Sequence, residues 1–205
     1  MSARFRVGVL ASGHGSNLQA ILDRMHGRDG IEVVAVGSDQ PGARALDRAH
    51  AAGVPTRAFP AAEFTDRGAR DAAMAAWLGG HGVELVVLAG YMQLVTPAFL
   101  SAFDGRVINV HPALLPAFPG IRAVEQALEY GVKVFGVTVH FVDEGVDTGA
   151  IIAQRGAEIP DATVPDDVFE VLRPLEHDLL CGAIEAIAAG RVRRDAEHGR
   201  RVVVS

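Results

Sequence analysis

The chain has a single cysteine, Cys181, which excludes an intrachain disulfide and leaves no thiol pair for a metal. The N-terminus lacks the long apolar run of a membrane span or a secretory signal, so a cytoplasmic address and no membrane partner are expected. Nor is there a Pro/Ser-rich or polar interior stretch that could serve as a linker. With no low-complexity tract and no fixed-period repeat, the 205 residues are expected to form a single domain. A broad basic face is missing too: the formal charge is −6, and arginines cluster only at Arg191, Arg193, Arg194, Arg200 and Arg201, which argues against nucleic acid as a partner. His111, His140 and the acids near residue 145 show no i, i+4 or His-x-His grouping, so no metal is expected.

What is present is an ordinary globular composition, 49% hydrophobic and 21% charged, with one stretch that organises the rest. In Val107-Ile108-Asn109-Val110-His111-Pro112 two polar residues sit within an apolar extended run. Side chains alternate along a strand, so Asn109 and His111 share one face while Ile108 and Val110 take the other. Pro112 cannot donate to a sheet ladder, which leaves His111 at the carboxyl end of the strand, where open α/β sheets place their ligands. An amide donor beside an imidazole suits acyl transfer: one can hold a developing oxyanion, the other can move a proton.

Nearer the N-terminus, the apolar run Phe5 to Ala11 passes into Ser12-Gly13-His14-Gly15-Ser16-Asn17 and then Leu18-Gln19-Ala20-Ile21-Leu22 at helical spacing. This strand, glycine loop and helix can present backbone N–H groups to a phosphate, with Ser16 and Asn17 capping the helix or donating to the ligand. Leu18 stands where a dinucleotide fingerprint needs Gly or Ala, which weakens that reading, although Asp39 after the next strand could mimic a ribose-binding acid.

Further strands are expected over 31–37, 54–59, 83–89 and 106–110. Helices are expected over 43–52, over 66–78 ended by Gly79, Gly80 and Gly82, and after the Thr96-Pro97 cap. After a helix over 123–130, long strands at 132–142 and 150–159 read as an antiparallel pair. The fold class is therefore α/β: a doubly wound, mostly parallel (Rossmann-like) sheet with an antiparallel strand pair added in the C-terminal half. The phosphate loop and the Asn109/His111 pair are expected on one sheet edge, in an N-terminal half of about 1–105 and a catalytic half of about 106–190. Between the paired strands lies Asp143-Glu144-Gly145-Val146-Asp147-Thr148-Gly149. One of its carboxylates is expected to face His111 and stabilise an imidazolium; spacing does not choose among Asp143, Glu144 and Asp147. Residues 166–189 read as helix broken or kinked at Arg173-Pro174, with Glu176 and His177 near a second start and Cys181 in the core. The tail, with Val202-Val203-Val204, reads as one short closing strand, and Leu115-Pro116 is a candidate cis bond.

Three segments, residues 11–21, 108–116 and 139–149, together resemble the phosphoribosylglycinamide formyltransferase family, in order from about Arg6 to about Gly190. The resemblance implies transfer of a formyl group from 10-formyltetrahydrofolate, as co-substrate, to the amino group of glycinamide ribonucleotide in de novo purine synthesis, by a monomer or homodimer. It implies that Gly15, Ser16 and Asn17 hold the substrate phosphate and that Glu176 contacts the ribonucleotide. Asn109 would steady the oxyanion, His111 would relay protons, and Asp147 would tune His111. The folate would lie against Arg67, Met92, Gln93, Leu94, Val95, Asn109, Asp143 and Asp147. Ala113 replaces a serine often found in the family.

Relatives with the same triad are the nearest alternatives. A methionyl-tRNA formyltransferase is expected to add an RNA-reading C-terminal domain. A 10-formyltetrahydrofolate hydrolase is expected to carry a regulatory domain ahead of the first strand, which here starts at Phe5. A non-catalytic nucleotide-binding sensor would use Gly13 to Asn17 but would leave Asn109, His111 and the acid unexplained.

Overall fold

The computed structural model describes residues 4–195 and 198–205. The strands are β1 (Phe5–Leu10), β2 (Ile31–Ser38), β3 (Thr56–Ala58), β4 (Leu85–Leu88), β5 (Val107–His111), β6 (Val134–Phe141), β7 (Ile151–Glu158), β8 (Val192–Arg194) and β9 (Val202–Val204). The helices are α1 (Ser16–Arg24), α2 (Arg44–Ala51), α3 (Arg67–Gly80), α4 (Pro97–Ala102), α5 (Ala123–Tyr130) and α6 (Pro165–Ala188). One sheet runs in the order β3-β2-β1-β4-β5-β6-β7, and β8-β9 form a separate antiparallel pair. The chain divides within β5 into two compact units, Met1–Asn109 and Val110–Ser205.

In the first unit all strand pairings are parallel. From β1 the chain winds outward through β2 to β3, then returns to β4 on the other flank of β1 and continues to β5. Right-handed crossovers then put α1 with α2 and α3 with α4, the pairs that pack together here. The central strands are covered on both faces, which is why they read as unbroken apolar runs: Val7, Val9 and Leu10 of β1 and Val86 and Val87 of β4 are fully buried. The sheet reverses direction between β1 and β4, and the carboxyl ends of such a pair frame the crevice where ligands bind in open sheets.

In the second unit β6 and β7 pair antiparallel, as the alternation in the sequence predicts, and α6 packs against both. Three expectations need correction. Gly79 and Gly80 lie inside α3, which ends at His81 and the positive-φ Gly82, because the buried Met74 and Leu78 anchor its last turns. Helix α6 is continuous through Pro174, so there is no second start beside Glu176. The one N–H that proline removes is outweighed by apolar anchors on either side, Val168 and Leu172 before it and Leu180 and Ile184 after it, all fully buried. The tail forms two strands rather than one, since Val192 and Arg194 of β8 find partners in Val204 and Val202. Among the described residues no helix is long and apolar enough to cross a membrane.

Candidate active site

The loop after β1 is built jointly by α1 and α2. Gly13 O accepts from Ala45 N (3.1 Å), and His14 O accepts from Arg48 Nε (2.9 Å). Because a trans peptide points its C=O and N–H in opposite directions, the N–H groups of the same two planes, those of His14 and Gly15, face away from α2. Gly15 has φ +73°, and a Cβ there would meet the Ala45 Cβ at 2.8 Å, so only glycine permits this approach. Ser16 and Asn17 do not cap α1 as the sequence suggests: Gly15 holds the cap position and no side chain caps the helix. Ser12 joins the loop to the segment after β4, donating its N–H to Gly90 O (3.0 Å) and accepting from Met92 N at Oγ (2.8 Å).

These segments enclose a cavity of about 320 Å³ lined by Ser12 to Asn17 with Ala89, Gly90 and Met92. It lies at the switch point between β1 and β4. Asn109 is in register with Leu88, the residue before this lining begins. Met92 and Leu94 are strongly exposed, at 63% and 56%; Gln93 and Val95 between and after them are half-buried. Arg67 is exposed at the first position of α3, whose cap is Asp66 accepting from Ala69 N (2.8 Å).

In the second unit, His111 ends β5 and is buried. The residues after it are held by buried Thr138, whose hydroxyl donates to Ala113 O (2.7 Å) and accepts from Leu115 N (3.1 Å). Gln154 Nε2 adds a bond to Leu115 O (2.8 Å). The Leu115-Pro116 peptide is cis. Of the three acids that spacing left open, Asp147 is the one brought to His111, with Oδ2 3.4 Å from Nδ1. Asp143 instead ties its own loop, accepting from Thr148 Oγ1 (2.6 Å) and Gly145 N (3.2 Å), and Glu144 is exposed. The loop closes because Gly149 has no Cβ, which would otherwise run into the Phe141 carbonyl.

Sequence reasoning missed the other half of this cluster. His140 is buried, with Nε2 3.5 Å from Asp147 Oδ1 and Nδ1 2.8 Å from Phe141 O. His111 Nε2 is 2.8 Å from Phe118 O, and Gly120 N donates to Asp147 Oδ2 (2.7 Å). Each imidazole thus has a carbonyl oxygen near one nitrogen and Asp147 near the other. Burial pushes the Asp147 carboxyl up, but the hydrogen bonds from His140 and Gly120 and the charge of the two imidazoles more than offset this and hold it below its ordinary value. The register of β6 against β7 slips between Val139 and His140, a bulge of the kind that re-aims side chains, and no residue type in 139–141 announces it. Glu176 is buried on α6. No group of three or more His, Cys, Asp or Glu among the described residues is placed to hold a metal ion.

Residues 5–184 match the model of a family described as formyl transferase. The chain belongs to that family. This formyltransferase is 45% identical, over 99% of its length and 95% of the relative's, to phosphoribosylglycinamide formyltransferase of Mycobacterium tuberculosis. It is 43% identical over 84% of its length to the Bacillus subtilis protein of that name, covering 89% of that relative. Among solved structures, glycinamide ribonucleotide transformylase 1 from Symbiobacterium toebii superposes with a TM-score of 0.94 at 46% identity, over 100% of this chain and 95% of that one. A formyltetrahydrofolate deformylase from Burkholderia mallei has a TM-score of 0.86 at 31% identity, over 99% of this chain but 70% of its own. A folate-type formyl donor is what membership of this family implies.

Proposed function

We propose that this formyltransferase moves the formyl group of 10-formyltetrahydrofolate to the amino group of glycinamide ribonucleotide, as the names of its relatives describe for them. The observation that carries the reading is the His111–Asp147 pair at 3.4 Å, with Asn109 two residues before His111 in the sequence of β5. Attack of a neutral amine on a formamide-like carbonyl develops negative charge on oxygen and positive charge on nitrogen together. Asn109 donates to the oxyanion. His111 is committed to Asp147 through Nδ1, so it exchanges protons through Nε2, with a substrate nitrogen taking the place of the Phe118 carbonyl. Asp147 compensates the positive charge whenever His111 carries the transferred proton.

Under the same reading Gly15, Ser16 and Asn17 hold the phosphate, and Glu176 contacts the ribonucleotide. Arg67, the 92–95 segment and Asp143 flank the folate. A cytoplasmic address agrees with this chemistry. The likeness to a formyltetrahydrofolate deformylase supports a second reading, in which water is the acceptor. Formate release and formyl transfer, measured with and without glycinamide ribonucleotide, separate the two. Transfer that requires the ribonucleotide supports the proposal; formate release that ignores it supports the hydrolase; ribonucleotide binding with neither product would identify a sensor. In the transferase, Asn109→Ala and His111→Ala are each expected to cut kcat by about 10² or more while leaving ribonucleotide binding largely intact.

A further inference from the structure

One side chain of the glycine loop has no part in the account above. His14 lines the cavity, and its ring lies against two arginines of α2: Arg44 Nη1 is 3.2 Å from Nε2, and Arg48 Nη2 is 3.4 Å from both ring nitrogens. Arg48 is held in place by His14 O at Nε and by Gln19 Oε1 at Nη1 (2.7 Å). Among the described residues neither guanidinium has a carboxylate within ion-pair distance, in a chain whose acids outnumber its bases. Arg44 is also the first residue of α2, behind Ala43, which provides no side-chain cap. A cation at the positive end of a helix dipole opposes the helix, so neither helix stability nor an ion pair accounts for it.

An anion does account for it. Backbone N–H groups orient a phosphate but carry no formal charge, whereas a phosphate monoester near neutral pH carries about −1.5 to −2. The loop from Gly13 to Asn17 contains neither lysine nor arginine. We propose that His14, Arg44 and Arg48 form the cationic flank of the phosphate subsite, with the two arginines supplying charge and His14 bringing it to the cavity wall. The subsite then selects a phosphate monoester over the corresponding neutral riboside. This rests on the reading that Gly15, Ser16 and Asn17 hold the substrate phosphate.

The test uses the full-length protein, with glycinamide ribonucleotide, its dephosphorylated riboside and inorganic phosphate as probes. Arg44→Ala and His14→Ala are each expected to raise KM for the ribonucleotide about tenfold and to weaken inhibition by inorganic phosphate by a similar factor. Turnover at saturation, KM for the folate and KM for the riboside are expected to stay unchanged, and Arg44→Lys to recover most of the loss. Gly15→Ala, checked for folding by circular dichroism, serves as the reference. If both arginine and histidine variants keep wild-type KM while Gly15→Ala loses ribonucleotide binding, the cationic flank is refuted and the phosphate reading stands. If Gly15→Ala also keeps wild-type KM, the phosphate reading fails and takes the flank with it. Equal losses for ribonucleotide and riboside would refute selection by charge.

Discussion

Replacing Asp147 by Asn isolates what its charge contributes, because the amide oxygen can still accept from Gly120 N while the negative charge between His111 and His140 is gone. Asp147 lies 3.4 Å from His111 and 3.5 Å from His140, close enough for its charge to act on both rings. A positioned proton-transfer group contributes about 10² to 10⁴ in rate. With its counter-charge removed, His111 is expected to lose most of that, so kcat should fall by about 10² to 10⁴, or about 3–5 kcal/mol in barrier height. KM for the ribonucleotide should change little, since under the proposed function Gly15, Ser16 and Asn17 hold its phosphate. The same variant carries a stability signature. The Asp147 pKa is lowered below its ordinary 3.8 in the folded protein, so between the two values the unfolded chain holds the extra proton and stability rises with pH. The contribution is complete above the ordinary value and is lost as pH falls through the lowered one. The stability gap between wild type and Asp147→Asn, measured by chemical denaturation, should therefore shrink below about pH 4. Wild-type kcat in Asp147→Asn, in an assay that still detects the effect of Asn109→Ala, would refute this account of His111.

Three further outcomes follow from the packing. His140→Ala removes the largest of the influences that lower the Asp147 pKa, so the acid-side loss of stability should move to higher pH and kcat should drop about tenfold. His140→Gln, which keeps a donor, should recover part of both, and a pH series of urea melts with parallel kinetics would check it. Gly15→Ala forces a left-handed residue and a 2.8 Å approach to Ala45 Cβ, which should cost about 2–4 kcal/mol, read from urea denaturation, together with a loss of ribonucleotide affinity by calorimetry. Pro174→Ala restores a backbone donor inside α6 and should stabilise the protein by about 1–3 kcal/mol, seen as a higher Tm without a change in KM.

The sequence alone carried the features that depend on neighbouring residues. Apolar runs marked β1 and β4 as buried on both faces, and Thr96-Pro97 located the start of α4, where the Thr96 hydroxyl accepts from Phe99 N. Spacing left Asp143, Glu144 and Asp147 open and only the family resemblance pointed to Asp147; in the tertiary structure Asp147 meets His111 because of how a closed loop turns and because the Gly120 N–H reaches it from a segment 27 residues away. The tertiary structure alone brought in His140, through a register slip that depends on how β6 pairs with β7 and has no local signature. It also carried α6 through Pro174, since burial summed over a long helix outweighs one lost hydrogen bond, a comparison that cannot be made from the proline and its neighbours. Periodicity and caps are decided within a few residues of chain; the partners of a charge are decided by which distant segments pack around it.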